Sequence, residues 1–270
     1  MVVGVDWSME LYLGTGGYAN DDWVGLLYPE EGKQSDWLGI YAQHFNAVEL
    51  NSSFYAIPGV KAFAGMLNKS GGRVRFAIKL HQSMTHTRDA EAGLYTRLRE
   101  SVAPLREAGM LGPFLAQFPY AFKRTPANRR YLQELTQRFA GETLAVEFRH
   151  ASWDKTEVRE ALTKAGLVWV SVDLPALQGL PLTAFHVTAE VAYIRMHGRN
   201  TATWWGGKTA AERHDYLYDA DELRPWVAEV MAHSDGLSQL YWLLQNTTKG
   251  HALKNAVTVR ELFAEAGVPL

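Results

Sequence analysis

Five apolar runs in this chain end on two polar side chains spaced two residues apart: Glu49 and Asn51, Lys79 and His81, Glu147 and Arg149, Ser171 and Asp173, Arg195 and His197. These are the residue types of proton transfer and anion capture. A carboxylate such as Glu49 or Glu147 can accept a proton, His197 can relay one near neutral pH, and Lys79, Arg149 and Arg195 can hold negative charge.

A spacing of two is the period of a β-strand, whose alternate side chains share a face. With Val48 and Leu50, Phe76, Ile78 and Leu80, Val146 and Phe148, Val168, Val170 and Val172, and Ile194 and Met196 turned toward covering helices, the polar pairs must turn the other way. Gln117 extends this ring, as do Gln245 and Asn246, although the parity of the last strand is ambiguous.

Eight β-rich runs carry these residues, at 11–14, 47–51, 75–81, 114–118, 144–149, 167–173, 191–197 and 239–244. Amphipathic stretches alternate with them, the pattern of repeated βα units around a parallel sheet. Eight evenly spaced units predict a single (β/α)8 TIM barrel over residues 1–270, with its active site at the C-terminal ends of the strands. Ser35 is expected to cap a helix with Trp37, Leu38, Tyr41 and Phe45 on one stripe, and Pro58, Pro126 and Pro225 fall near expected helix starts. Residues 174–190 contain Pro175, Gly179 and Pro181 and no helical period, which predicts an irregular sixth connection.

Glu49, Glu147 and Asp173 match Lys79, Arg149 and Arg195 three against three, so mutual neutralisation is the bland explanation of the ring. Burying an ion costs several kcal/mol even after relaxation, so stability alone does not require the arrangement. Function is the better account. The segments Arg195 to Arg199, after the seventh strand, and Asn246 to Gly250, before the last helix, lie where barrels often bind phosphate, which makes Arg199, Asn246 and Thr247 candidate ligand contacts. Thr247 or Thr248 could equally serve as a helix cap. Gly14-Thr15-Gly16-Gly17 is either a close-approach loop for an anion or a tight turn, and the turn is the better reading because the segment lacks both a dinucleotide fingerprint and a P-loop ending.

No cofactor is predicted. There is no HExxH pair and no GxSxG elbow, and cations are interleaved with the inward carboxylates. A divalent metal remains the alternative, with Glu49, Glu147, Asp173, His81 and His197 as ligands. Trp204 and Trp205, in the seventh loop, form either a stacking wall or lid over the mouth or a hydrophobic plug.

The net charge of −2, from 27 basic and 29 acidic residues, gives no global attraction to nucleic acid or an anionic membrane. The chain lacks cysteine, an apolar run of the roughly 18 residues that span a bilayer, and a recognisable signal peptide. A cytoplasmic location is therefore expected.

The sequence resembles the domain of unknown function 72 family, also called YecE-like, from about Leu11 onward. The matching pieces, in order, are Leu13 to Tyr18, Leu27-Tyr28-Pro29, Val48 to Tyr55, Phe76 to Lys79, Thr85-His86, Gln117-Phe118-Pro119, Val146 to His150, Arg195 to Arg199 and Asn246-Thr247. The resemblance implies a TIM barrel and marks Glu49, Asn51, Tyr55, Lys79, His86, Gln117, Glu147, Arg149, His197 and Asn246 as motif residues. Tyr18 and Gln245 stand where that family often has Trp and Asn. It implies no particular reaction.

Together these readings favour an enzyme for a small anionic substrate, phosphorylated or carboxylated, using Glu49 or Glu147 as base, His197 or His86 as proton shuttle, and Lys79, Arg149 and Arg195 as anion holders. Asn51, Tyr55, Gln117, Asp173, Arg199, Asn246 and Thr247 complete the expected contacts. One alternative is a metal-dependent phosphodiesterase or sugar isomerase. Another is a non-catalytic module that binds a metabolite, or single-stranded nucleic acid through Trp204, Trp205 and Arg199.

Overall fold

The computed structural model describes residues 9–268, in which eight parallel strands close into one barrel in chain order. They are β1 (Glu10–Thr15), β2 (Ala47–Leu50), β3 (Arg75–Lys79), β4 (Leu111–Gln117), β5 (Leu144–Glu147), β6 (Val168–Asp173), β7 (Val191–Met196) and β8 (Gln239–Leu244). Pairing of β8 with β1 along all six residues of each completes the ring. A closed parallel barrel has no free edge, so every strand finds its hydrogen-bond partners internally.

The barrel is filled by complementary sizes. Ala47, Ala77 and Ala145 point inward from β2, β3 and β5, while Tyr12, Tyr193 and Tyr241 come from β1, β7 and β8. Tyr241 stacks on both other rings, with centroids 4.9 and 5.8 Å away. Large side chains from one half thus occupy the room that small ones leave in the other, which keeps the interior close-packed. Gly14 reflects the same crowding, since a Cβ there would lie 2.0 Å from the Ala47 carbonyl oxygen.

Outside, Val48, Phe76, Ile78, Val146, Phe148, Ile194 and Met196 belong to the core between barrel and helices. The expected alternation therefore holds for β2, β3, β5 and β7. It is reversed in β6, where Val168, Val170 and Val172 fill the barrel and Trp169 packs outward. Both faces of a barrel strand are apolar, so three valines do not say which way to turn. The bulk of Trp169 suits the wider outer layer. Ser171 follows it, accepting from the His186 backbone N–H at 2.9 Å and leaving the barrel interior.

The connection between β6 and β7 contains no helix, as its prolines and glycine predict. Pro126 opens the helix Pro126–Arg138, whose cap is Thr125. Pro225 lies inside the helix Ala220–Ala232, which starts earlier than expected because Asp219 and Glu222 form a reciprocal capping box. Ser35 is not a helix cap: the helix Trp37–Tyr41 follows a short 3-10 turn, and Ser35 instead bonds the Asp36 carboxylate. No helix of the described residues is long and apolar enough to cross a membrane.

Candidate functional site

The strand ends supply the floor of a cavity of about 500 Å³ at the C-terminal mouth of the barrel. Glu49, Lys79, Gln117, Glu147, Arg195 and Gln245 follow in register the inward residues Ala47, Ala77, Leu115, Ala145, Tyr193 and Leu243. Arg149 and His197 continue two residues farther along β5 and β7.

Arg195 is the centre of the floor and is shielded from solvent. Its Nε donates to Glu49 Oε2 at 2.9 Å and its Nη2 to Glu49 Oε1 at 2.6 Å, while Nη1 donates to Glu147 Oε2. Gln245 Oε1 accepts a further bond from Nη2 at 3.1 Å. Tyr193 adds its hydroxyl to Glu49 at 2.8 Å, and Arg149 Nε bonds the second oxygen of Glu147. Burial alone would raise the Glu147 carboxyl, but Arg149 and Arg195 outweigh it and hold the group well below the usual carboxylate range. Both carboxylates are fully buried, Glu49 accepting three of these bonds and Glu147 two.

Gly16 lets this network close. A Cβ at that position would lie 2.1 Å from Gln245 Oε1, the oxygen that receives Arg195. Gln245 thus belongs to the ring, which settles the parity of β8. Asn246 faces the other way, donating at 2.8 Å to both the Tyr216 carbonyl and Asn255 Oδ1.

Three histidines line the cavity, and all are held neutral. Burial, Arg149 and Arg195 push His197 well below its ordinary value. Arg149 Nη2 lies 3.1 Å from its Nε2, so Nε2 accepts and the proton belongs on Nδ1. Burial brings His86 down to about 4, with Lys79 and Arg149 adding to the effect. Burial likewise takes His214 to about 4, against the opposing bond from its Nδ1 to the His197 carbonyl at 2.8 Å. That bond requires the proton on Nδ1 and leaves Nε2 of His214 as the basic nitrogen. Lys79 is lowered to about 8 by burial and by the Arg195 charge, partly offset by Glu49 and Glu147.

The remaining lining includes Asn51, Phe54, Tyr55, Tyr120, Trp204, Trp205, Arg213 and Thr247. Asn51 Oδ1, His197 Nδ1 and Gln245 Nε2 are buried polar atoms with no partner among the described residues. The two tryptophans divide their roles. Trp204 is buried, with Arg149 Cζ 5.9 Å from its ring centre, whereas Trp205 is 57% exposed at the rim and meets Tyr120 edge-on at 4.9 Å.

Of the sequence-derived candidates, Asn51, Tyr55, Lys79, His86, Gln117, Arg149, Arg195, His197 and Thr247 line the cavity, and Glu49 and Glu147 lie directly beneath. Asp173 and Arg199 do not join them. The reversed β6 turns Asp173 outward, where it accepts from Arg199, from the Tyr218 hydroxyl at 2.8 Å and from Trp226 Nε1 at 3.0 Å. Arg199 also bonds Glu222 at 3.0 Å.

The expected phosphate loop is likewise occupied by the chain itself. Asp22 accepts from the Lys249 backbone N–H at 2.7 Å and the Thr248 hydroxyl at 3.0 Å, while Asp215 bonds Lys249 Nζ and His251 Nε2. Neither Thr247 nor Thr248 caps the last helix, His251–Glu265, which begins after Gly250.

The metal-ligand set also comes apart, for Asp173 faces outward and His81 is held by Ser83 and the Tyr55 carbonyl. Among the described residues no three His, Cys, Asp or Glu side chains are grouped to hold a metal ion. Phe54, Tyr120, Arg213 and His214 are site residues that strand parity could not find. They come from loops and short helices, where no period reports direction.

A family model described as "Protein of unknown function DUF72" matches residues 12–269. A DUF72 family protein from Thermotoga maritima superposes with a TM-score of 0.86 at 35% identity, covering 94% of this chain and 99% of that one. One from Enterococcus faecalis, at 24% identity and TM-score 0.84, covers 94% and 96% and shows the same fold. The UPF0759 protein YunF of Bacillus subtilis is 28% identical over 94% of each chain.

Proposed function

On the premise that this chain belongs to the DUF72 family, we propose that its barrel mouth is the active site of an enzyme for a small anionic molecule, phosphorylated or carboxylated, handled by proton transfer. One observation carries this reading. The cavity is lined by Lys79, Arg149, Arg195 and Arg213, and none of the described residues lining it is acidic. Glu49 and Glu147 sit below and orient guanidinium groups, so they balance charge without blocking the mouth.

A rigid set of donors in a partly dehydrated cavity binds an anion more strongly than mobile surface lysines do, because the cost of ordering the cations is met on folding. Asn51, Gln117 and Gln245 add neutral groups that can select between oxygens. Proton transfer then falls to Lys79, His86 and His214, since Glu49 and Glu147 bond Arg149, Arg195 and Tyr193 and do not line the cavity. Kept neutral by burial and the nearby cations, His86 and His214 can take up a proton only transiently, as relays and not as resting cations.

Titration calorimetry with inorganic phosphate and with oxalate at low salt tests the reading. Binding by wild type that weakens about tenfold or more in Arg213→Ala, with unchanged circular dichroism, is the expected result. Wild type that takes up neither anion overturns it. Arg213 has no ion-pair partner among the described residues, so its removal strands no buried carboxylate.

A further inference from the structure

We propose that Lys79 is an imine-forming nucleophile, so that the anionic substrate carries an aldehyde or ketone carbonyl, as an oxo acid does. This deepens the anion-site reading and rests on it.

Lys79 ends β3 with its side chain directed into the mouth, in line with the inward Ala77. Among the described residues its Nζ has no hydrogen-bond or ion-pair partner, although two carboxylates lie close by. Arg195, Arg149 and Tyr193 are instead the donors that bond Glu49 and Glu147. Its Nζ lies over the face of Phe54, 4.6 Å from the ring centre. An aromatic face steadies an ammonium but leaves a neutral amine free, with its lone pair uncommitted.

The surrounding cations act in the same direction. Burial and the Arg195 charge, with a smaller effect of Arg149, outweigh Glu49 and Glu147 and bring Lys79 to about 8. The guanidinium groups lining the cavity cannot lose a proton in this range, so Lys79 is the cation there able to become a nucleophile near neutral pH. A lysine needed only for charge would gain from a carboxylate partner. This one has none among the described residues.

The step balances without an oxidant or reductant. The Nζ lone pair attacks the carbonyl carbon and the π electrons move to oxygen, giving a carbinolamine after one proton passes from nitrogen to oxygen. Protonation of the hydroxyl releases water and leaves an iminium, which restores positive charge where the ammonium stood. Arg149 and Arg213 line the same cavity to hold the carboxylate or phosphate of the carbonyl compound. His214 lines the same cavity with the lone pair of Nε2 uncommitted, because Nδ1 bonds the His197 carbonyl, and can take the proton that leaves nitrogen on addition.

Reductive trapping tests this on the intact protein. Glyoxylate and pyruvate are added separately with cyanoborohydride, followed by intact mass measurement and peptide mapping. The expected result is one reduced adduct per chain, located at Lys79 and formed at least about tenfold faster than at any other lysine. Its rate should rise with pH toward 8 and fall when inorganic phosphate is added. Lys79→Arg should lack the adduct while retaining the charge.

Labelling spread over exposed lysines with no preference for Lys79 overturns the proposal, and that mapping uses wild type alone. Phosphate binding measured on the same preparation separates the two readings. Phosphate binding without a Lys79 adduct refutes imine formation alone, whereas loss of both refutes the anion site as well.

Discussion

Arg195 meets Glu49 through two parallel hydrogen bonds, 2.9 and 2.6 Å long, in a part of the barrel that solvent does not reach. The same guanidinium bonds Glu147, so one cation from β7 ties together carboxylates from β2 and β5. Removing one member of a buried, hydrogen-bonded charge network strands the others, which is more costly than never having buried them.

Arg195→Met should therefore destabilise the protein by about 3–5 kcal/mol, because it leaves two buried carboxylates short of donors. Urea denaturation monitored by tryptophan fluorescence reads this directly. A loss below about 1 kcal/mol would mean that the network relaxes or takes in water.

Asp173→Ala separates the outer cluster from the site. The carboxylate holds Arg199, Tyr218 and Trp226 together behind the barrel wall, so its loss should lower the urea midpoint substantially. Phosphate affinity should stay within about twofold of wild type when measured well below the transition. A large affinity loss would return Asp173 to the ligand site.

The pH dependence of anion binding should report Lys79. Its folded value of about 8 means that it is mostly charged at pH 7 and mostly neutral at pH 9. An anion favours the charged form, so the affinity for oxalate, which keeps a constant charge over this range, should fall as pH rises across that interval, and this part of the dependence should vanish in Lys79→Met. An affinity that increases with pH would contradict the assignment.

Acid stability should report His86 and His214. Both titrate at about 4 when folded and near 6.5 when unfolded, so the unfolded chain binds more protons between those values. Their neutral forms contribute stability that is present above pH 6.5 and lost as pH falls toward 4. The urea midpoint should thus decline from pH 7 to pH 5, and less steeply in the double variant His86→Gln, His214→Gln. Glu147, held below 4.5, contributes its own loss only at lower pH.

Gly16→Ala should displace Gln245, because the new methyl carbon and Oε1 of that amide cannot share the same space. The expected cost is about 1–3 kcal/mol of stability, with weaker phosphate binding as Arg195 loses one of its partners. Unchanged stability and affinity would show that Gln245 has a second rotamer of equal value.

Most of the ring was legible because Glu49, Lys79, Glu147, Arg149 and Arg195 alternate with large apolar residues that favour the outer layer. Asp173 departs from the expected alternation because valine suits both faces of a barrel strand, and in β6 the valines fill the barrel while Trp169 takes the outer layer. Arg213 and His214 were not legible at all, since their place in the mouth depends on how a loop folds back over it.

The linear order of residues by itself determined the eight repeated units, the helix-free sixth connection and the polar ends of the strands, because local backbone periodicity is written in alternating side chains. Tertiary structure decided which charges pair with each other and which remain open to a ligand. Arg195 bonds two carboxylates contributed by distant strands while Lys79 pairs with neither among the described residues, and that division depends on three-dimensional distance and exclusion of water, neither of which sequence separation encodes.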